Sequence, residues 1–336
     1  MDKKRLRKIK HMRLAMLILI IVLIFLLCLV KCVSGHKKSK AHEESAVVTT
    51  TSGTTTLLTT AHATITATTT TMAKINSPEC RSAAVYCMET EEMMYADNID
   101  AKAAPASLTK LLTAMTALKY VDPNEVFAVG TEQYFVQPYS SLSYIDLGNQ
   151  LTMKDLITGM LMASGNDAAY TIAVSTAREY KNDEYMDDEE AIKCFCGLMN
   201  DTAKEIGMKN SHFTTPDGWD EEGQYTTASD LIILAENAIK DPIIQQIVST
   251  HEKDVVFKSG EPVTWTNSNL LIDPYSDYFC QNAVGMKTGT TLDAGNSLIA
   301  AFVKNGKKYI TVVEGCDTDE DRYELTLKLF SDVIMK

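Results

Sequence analysis

The chain has 336 residues, 45% apolar and 23% charged, with a net charge of −12. This is enough apolar chain for one large globular domain or two small ones, and it excludes overall disorder, a collagen-like chain and a multi-span membrane protein. The charge is unevenly spread: residues 1–40 hold eleven Lys/Arg against one acid, net +10, leaving −22 on the rest, and so acidic a body argues against nucleic acid as a partner.

Residues 1–13 form a basic segment, expected to be cytoplasmic. Leu14 to Val30 then gives seventeen uncharged, almost wholly apolar residues, close to the minimum for crossing a hydrocarbon core. Its basic flank is heavier before than after, which predicts a single-pass anchor over 14–33 in the cell membrane, with the remainder extracytoplasmic. The alternative is a cleaved signal peptide ending near Val33-Ser34-Gly35, with a secreted body. Residues 34–78 read as a Thr-rich disordered stalk. Between 46 and 73 there are fourteen Thr and no charge, a composition that cannot bury enough surface to offset chain entropy. Its coil-like reach is roughly 30 Å, and about 90 Å at full extension.

The folded body is expected over 79–336. Ser82 to Cys87 reads as an apolar strand. Leu108, Leu111, Leu112, Met115 and Leu118 recur at helical spacing, so Ser107 is expected to open a helix. Thr152-x-x-Asp155 caps a helix running to about Met162, a second follows from Asp167 to about Arg178, and Thr227-x-x-Asp230 caps another. Ser297–Val303 and Lys308–Val313 flank Asn305-Gly306, a hairpin signal. Tyr323, Leu327, Phe330 and Ile334 share one face of a terminal helix. The expected class is α/β: an antiparallel sheet built from the chain ends, flanked by helices, with a helical subdomain inserted.

Outside the anchor segment lie Cys80, Cys87, Cys194, Cys196, Cys280 and Cys316, enough for three bridges that a domain of this size does not require. Cys194-x-Cys196 has no second pair at zinc-ligand spacing, so no metal site is expected. Of the histidines only His212 and His251 fall in the body, and neither sits near a nucleophile-elbow pattern.

Three short motifs carry chemistry. In Pro105-Ala106-Ser107-Leu108-Thr109-Lys110, residues i and i+3 share a helix face, so the Lys110 amine can approach the Ser107 hydroxyl. Serine needs an adjacent base, and lysine serves only with a lowered pKa. The pattern is weak alone. Ser34-Gly35-His36-Lys37 also fits it, and Ser107 with Lys110 could be a helix cap beside a surface lysine. Ser164-Gly165-Asn166 breaks two helices and offers a hydroxyl for proton relay and an amide for a substrate carbonyl; alone it is also an ordinary interhelical turn. Lys287-Thr288-Gly289-Thr290 brings a cation, hydroxyls and a glycine that would let a substrate backbone approach, or else is a basic edge strand.

In this order the three motifs resemble those of the serine β-lactamase and penicillin-binding superfamily. The segments Tyr86 to Thr90, Leu147 to Thr152, Leu161 to Ala169, Gly207 to Phe213, Pro216-Asp217-Gly218 and Thr227 to Leu231 resemble D-alanyl-D-alanine carboxypeptidases, over essentially all of 79–336. The resemblance implies a β-lactamase/transpeptidase-like fold and a serine peptidase that removes the terminal D-alanine from peptidoglycan stem pentapeptides, with β-lactam antibiotics as covalent inhibitors and no metal or cofactor. It implies Ser107 as nucleophile, Lys110 as general base, and Ser164 with Lys287 as the relay to the leaving D-alanine. Asn166 would hold the donor peptide's amide, the N–H groups of Ser107 and Thr290 the oxyanion, and Lys287, Thr288 and Thr290 the terminal carboxylate.

Two departures stand out. Thr266 to Leu271 lacks the Arg or Lys common in relatives, so carboxylate binding is expected to rest more heavily on Lys287. The chain also ends soon after the terminal helix, leaving no room for the C-terminal β-domain and amphipathic helix of many relatives, so the N-terminal span is expected to serve as the tether. A β-lactamase on the same scaffold and a non-enzymatic wall-binding module are the competing readings.

Overall fold

The computed structural model describes residues 79–336. The expected cytoplasmic segment, anchor and stalk therefore lie outside the described residues, and no helix among those described is long and apolar enough to cross a membrane.

The body is built on a five-stranded antiparallel sheet drawn from both chain ends. Its strands are β1 (Ser82–Cys87), β2 (Glu92–Asp97), β7 (Ala283–Thr291), β8 (Gly295–Lys304) and β9 (Lys307–Cys316), in the order β2-β1-β9-β8-β7. β8 and β9 meet through Asn305 and Gly306, both at positive φ, as a two-residue hairpin turn of this hand requires. Successive side chains of the central strands enter opposite cores. Ala84, Tyr86, Ile299, Ala301, Ile310 and Val312 face one, while Ala83, Val85, Leu298, Ala300, Phe302 and Val313 face the other. This burial on both faces is why β1 reads as an unbroken apolar run.

The first core is completed by the helices between the two halves of the sheet: α1 (Thr109–Tyr120), α2 (Met153–Met162), α3 (Asn166–Lys181), α4 (Asp188–Glu205), α5 (Ala228–Ala238) and α6 (Pro242–Val248). Their starts follow the sequence. Thr152 and Thr227 accept the N–H of Asp155 and Asp230, Asp187 accepts those of Glu189 and Glu190, and Asp241 caps α6 with Pro242 in its first turn, each satisfying otherwise orphaned helix donors. The second core is closed by α7 (Asp319–Leu329), opened by a Thr318/Asp321 capping box and continued by a wider turn, Phe330–Ile334. Tyr323, Phe330 and Ile334 are buried there as expected, but Leu325, Leu329 and Val333 join them, so the buried face is broader than one stripe.

One feature departs from expectation, and the cysteines form one bridge. The middle of the chain is not purely helical: β3 (Val126–Ala128) pairs with β4 (Gln150–Thr152), and β5 (Glu252–Val256) with β6 (Pro262–Thr266). Of the six cysteines, one pair bonds, Cys80 to Cys316, tying the segment before β1 to the end of β9. Cys87, Cys194, Cys196 and Cys280 are free thiols.

Candidate active site

The helix expected to open at Ser107 begins instead at Thr109, after a single 3-10 turn, Ala106–Leu108. Ser107 makes no cap. Its hydroxyl accepts a hydrogen bond from Lys110 Nζ at 2.7 Å. Ala106, just before it, has φ +47°, a conformation that costs a residue with a Cβ about 1 kcal/mol. Neighbouring segments hold the turn. A Cβ on Gly218 would lie 1.8 Å from the Ala106 carbonyl oxygen, and one on Gly289 would lie 3.1 Å from Ala106 Cβ. The glycine of the third motif therefore admits the turn that carries Ser107.

Lys110 is fully buried, which removes its reading as a surface lysine. Besides Ser107 it donates to Asn166 Oδ1 at 2.8 Å and to the Asp217 carbonyl at 2.9 Å. Burial lowers its pKa from 10.5 to about 8, against the opposing pull of Asp217 and Asp167. A neutral amine has two N–H bonds and one lone pair. The Asn166 and Asp217 oxygens satisfy the two donors, so the lone pair is left facing Ser107 Oγ. This geometry suits a base as well as it suits an ammonium.

Ser164 occupies the break between α2 and α3 at φ +58°, and its hydroxyl accepts from Lys287 Nζ at 2.9 Å. Lys287, buried in β7, also donates to the Thr288 carbonyl. Burial first, then the charges of Lys110 and Arg322, push its pKa well below the usual lysine range. Asn166 starts α3 with its amide anchored at both ends, Oδ1 to Lys110 and Nδ2 donating to Ser140 Oγ at 2.9 Å. One Nδ2 hydrogen remains for a substrate. Thr288 shares a 2.9 Å hydrogen bond with Ser268, and Thr290 is exposed at the end of the cleft. A recess of about 70 Å³ brings Ser107, Asn166 and Thr290 together with Asp217 and Tyr139. All seven expected site residues thus converge from three segments of the chain.

Three residues join the site without having been assigned a role from the sequence. Asp167 is buried and accepts the N–H groups of Ser143, Ile145 and Ala168, fixing the loop beside the cleft. Asp217 supplies the carbonyl that holds Lys110. Arg322, on α7, donates to the Gly289 carbonyl at 3.2 Å, the Thr290 hydroxyl at 3.0 Å and the Ser297 carbonyl at 3.3 Å. Its position places a permanent cation beside Thr290, next to the expected carboxylate set of Lys287, Thr288 and Thr290. No local pattern in Asp319-Glu320-Asp321-Arg322 signals this role; it exists only once α7 packs on the sheet.

Residues 66–318 match the family described as D-alanyl-D-alanine carboxypeptidase. The chain is 30% identical over 255 residues to the D-alanyl-D-alanine carboxypeptidase DacF of Bacillus subtilis, covering 75% of this chain and 61% of that protein. It is 33% identical over 248 residues to DacC of Escherichia coli, covering 70% and 56%. It thus spans less than two thirds of the length of either relative. The crystal structure of the Streptomyces K15 DD-transpeptidase superposes with a TM-score of 0.69 at 25% identity, covering 78% of this chain and 100% of that one.

Proposed function

Because the chain belongs to the D-alanyl-D-alanine carboxypeptidase family, we propose that it is a serine-type D-alanyl-D-alanine carboxypeptidase acting on peptidoglycan stem pentapeptides and acylated by β-lactams. The observation that carries this is the 2.7 Å contact between the buried Lys110 amine and Ser107 Oγ.

In this reading Ser107 Oγ attacks the carbonyl carbon between the two D-alanines while its proton passes to the lone pair of neutral Lys110. The tetrahedral oxyanion is met by the N–H groups of Ser107 and Thr290, each worth about 3–4 kcal/mol. As the C–N bond breaks, the leaving amine takes a proton from Ser164, and the proton that Lys110 took from Ser107 replaces it, with Lys287 hydrogen-bonded to Ser164 in the relay, so that Lys110 is neutral again. Free D-alanine departs and the acyl group stays on Ser107 as an ester. Water then attacks the ester with Lys110 again as base, releasing the shortened peptide and restoring the serine. Lys287, Thr288 and Thr290, with Arg322 beside them, bind the terminal carboxylate, and Asn166 holds the amide of the acyl part.

The same reading places Leu14 to Val30 in the cell membrane as a single-pass anchor, with residues 34–78 as the stalk. It is supported by the apolar run and by the basic flank that precedes it. The test of the chemistry is incubation of the full chain with a defined pentapeptide and a crosslinked stem dimer, followed by weighing of the products. Release of one D-alanine from the pentapeptide is the expected result, and an unchanged pentapeptide rejects the proposal.

A further inference from the structure

Two tyrosines beside the catalytic cleft stand clear of the protein on an unusual backbone. The segment 136–147, which leads toward β4, has no regular structure, yet its inner side is tied down. The Ser141 carbonyl accepts from the Asn166 N–H at 2.8 Å, Asp167 accepts the N–H groups of Ser143 and Ile145, and the Trp265 indole donates to the Ser143 carbonyl at 2.8 Å. On its outer side Tyr139 and Tyr144 are 105% and 76% exposed. Their φ angles are +67° and +59°, in the left-handed region that bulky residues avoid. Neither ring is buried in a way that would offset that cost, and such outliers gather at ligand clamps.

These rings flank a groove of about 490 Å³, within the range of ligand-binding clefts. The groove runs into the recess that holds Ser107, since Tyr139 and Ser140 line both. Its direction follows from the site. With the substrate carboxylate at Thr290 and Arg322, the acyl part must leave Ser107 on the other side, past Asn166 and therefore past Ser140. We propose that this groove binds the stem peptide upstream of its D-alanyl-D-alanine end in an extended form, with Tyr139 and Tyr144 as its specificity-determining walls. The inference rests on the carboxypeptidase reading for its ligand. Tyrosine suits the role because it offers a large contact area with few rotatable bonds. The exposed Asp146, also on the groove wall, favours a peptide with a basic side chain there.

The experiment uses the full chain carrying Ser107→Ala, which separates binding from turnover. Dissociation constants are measured for acetyl-D-alanyl-D-alanine and for the stem pentapeptide. The pentapeptide is expected to bind at least about tenfold more tightly. Tyr139→Ala with Tyr144→Ala should bring the two ligands within about twofold, the pentapeptide losing most of its affinity and the dipeptide much less, at an unchanged melting temperature. The paired Phe replacements, which keep the rings, should retain the preference. Equal affinities in the Ser107→Ala parent, or equal weakening of both ligands in the Ala pair, overturn the proposal. So does a preference that appears only when a disaccharide is attached, which would give the groove to the glycan. Turnover by the chain with Ser107 intact is scored separately: selective pentapeptide binding without D-alanine release would reject the reaction and leave the groove assignment standing.

Discussion

The guanidinium of Arg322 donates to the Thr290 hydroxyl at 3.0 Å, bringing a permanent cation from the C-terminal helix to the edge strand of the sheet. Asp319 pairs with the same guanidinium from one turn earlier on α7. Replacing Arg322 with Leu should lower kcat/KM for a D-alanyl-D-alanine substrate by about 10- to 100-fold, the loss of one charged hydrogen bond of about 1.5–3 kcal/mol. A C-terminal amide analogue should lose far less. Equal losses on both substrates would show that Arg322 only packs α7 against β7.

The pH profile should follow Lys110. With its pKa lowered to about 8 by burial, the neutral base accumulates as pH rises. Acylation by a β-lactam should climb with pH, most steeply near 8, and level off above. Lys110→Ala should slow acylation by about 10²–10⁴-fold, the usual worth of a positioned base. A rate that stays flat from about pH 6 to about pH 9.5 contradicts Lys110 as the base.

Covalent labelling should depend on one residue. Ser107→Ala is expected to abolish the adduct with a fluorescent penicillin, and labelling at any other serine would refute the assignment. In the unaltered chain the adduct should persist, because no Glu-x-x-Leu-Asn element of the kind that positions deacylating water in many β-lactamases occurs between Asp167 and Met286. Intact-mass spectra after a short penicillin pulse should show a single adduct lasting minutes. Its loss within seconds, with penicillin consumed catalytically, would favour the β-lactamase reading.

A second buried acid controls stability rather than chemistry. Glu314 on β9 accepts from the Ser82 hydroxyl at 2.7 Å, its other oxygen has no partner, and burial raises its pKa from 4.5 to about 7. The folded state therefore holds a proton that the unfolded chain has lost between these values, and stability falls as pH rises through that window, by about 3 kcal/mol. Glu314→Gln keeps the Ser82 contact and removes the titration. Denaturant midpoints should be higher for the variant at pH 8 and equal to the parent's near pH 4.5. A parent with no slope between about pH 4.5 and about pH 7 would remove Glu314 from this role.

The three central sheet strands, β1, β8 and β9, and most helices were legible because their signals are local, whereas β2 was not. Thr227 with Asp230, Asn305-Gly306 and the apolar run at Ser82 each act within a few residues. The short ribbons β3–β4 and β5–β6 were not legible, since strands of three to five residues carry too little periodicity and depend on their partners. The site divides in the same way. Ser107 and Lys110 lie three residues apart on one turn, so their contact follows from helical spacing. Arg322 reaches Thr290 across 32 residues, and only the packing of α7 on the sheet brings them together. The helix start was misplaced by two residues because Ser107 reads as a cap, whereas its hydroxyl is engaged by Lys110.

The Cys80–Cys316 bridge also has a mechanical consequence. A body held by its N-terminal lead feels tension at residue 79, next to β1, whose hydrogen bonds to β9 and β2 would otherwise break in succession from that end. The bridge passes the load directly into the end of β9, at the centre of the sheet. Oxidised protein pulled from its N-terminus should therefore resist as a block, while reduced protein should yield β1 first at a lower force.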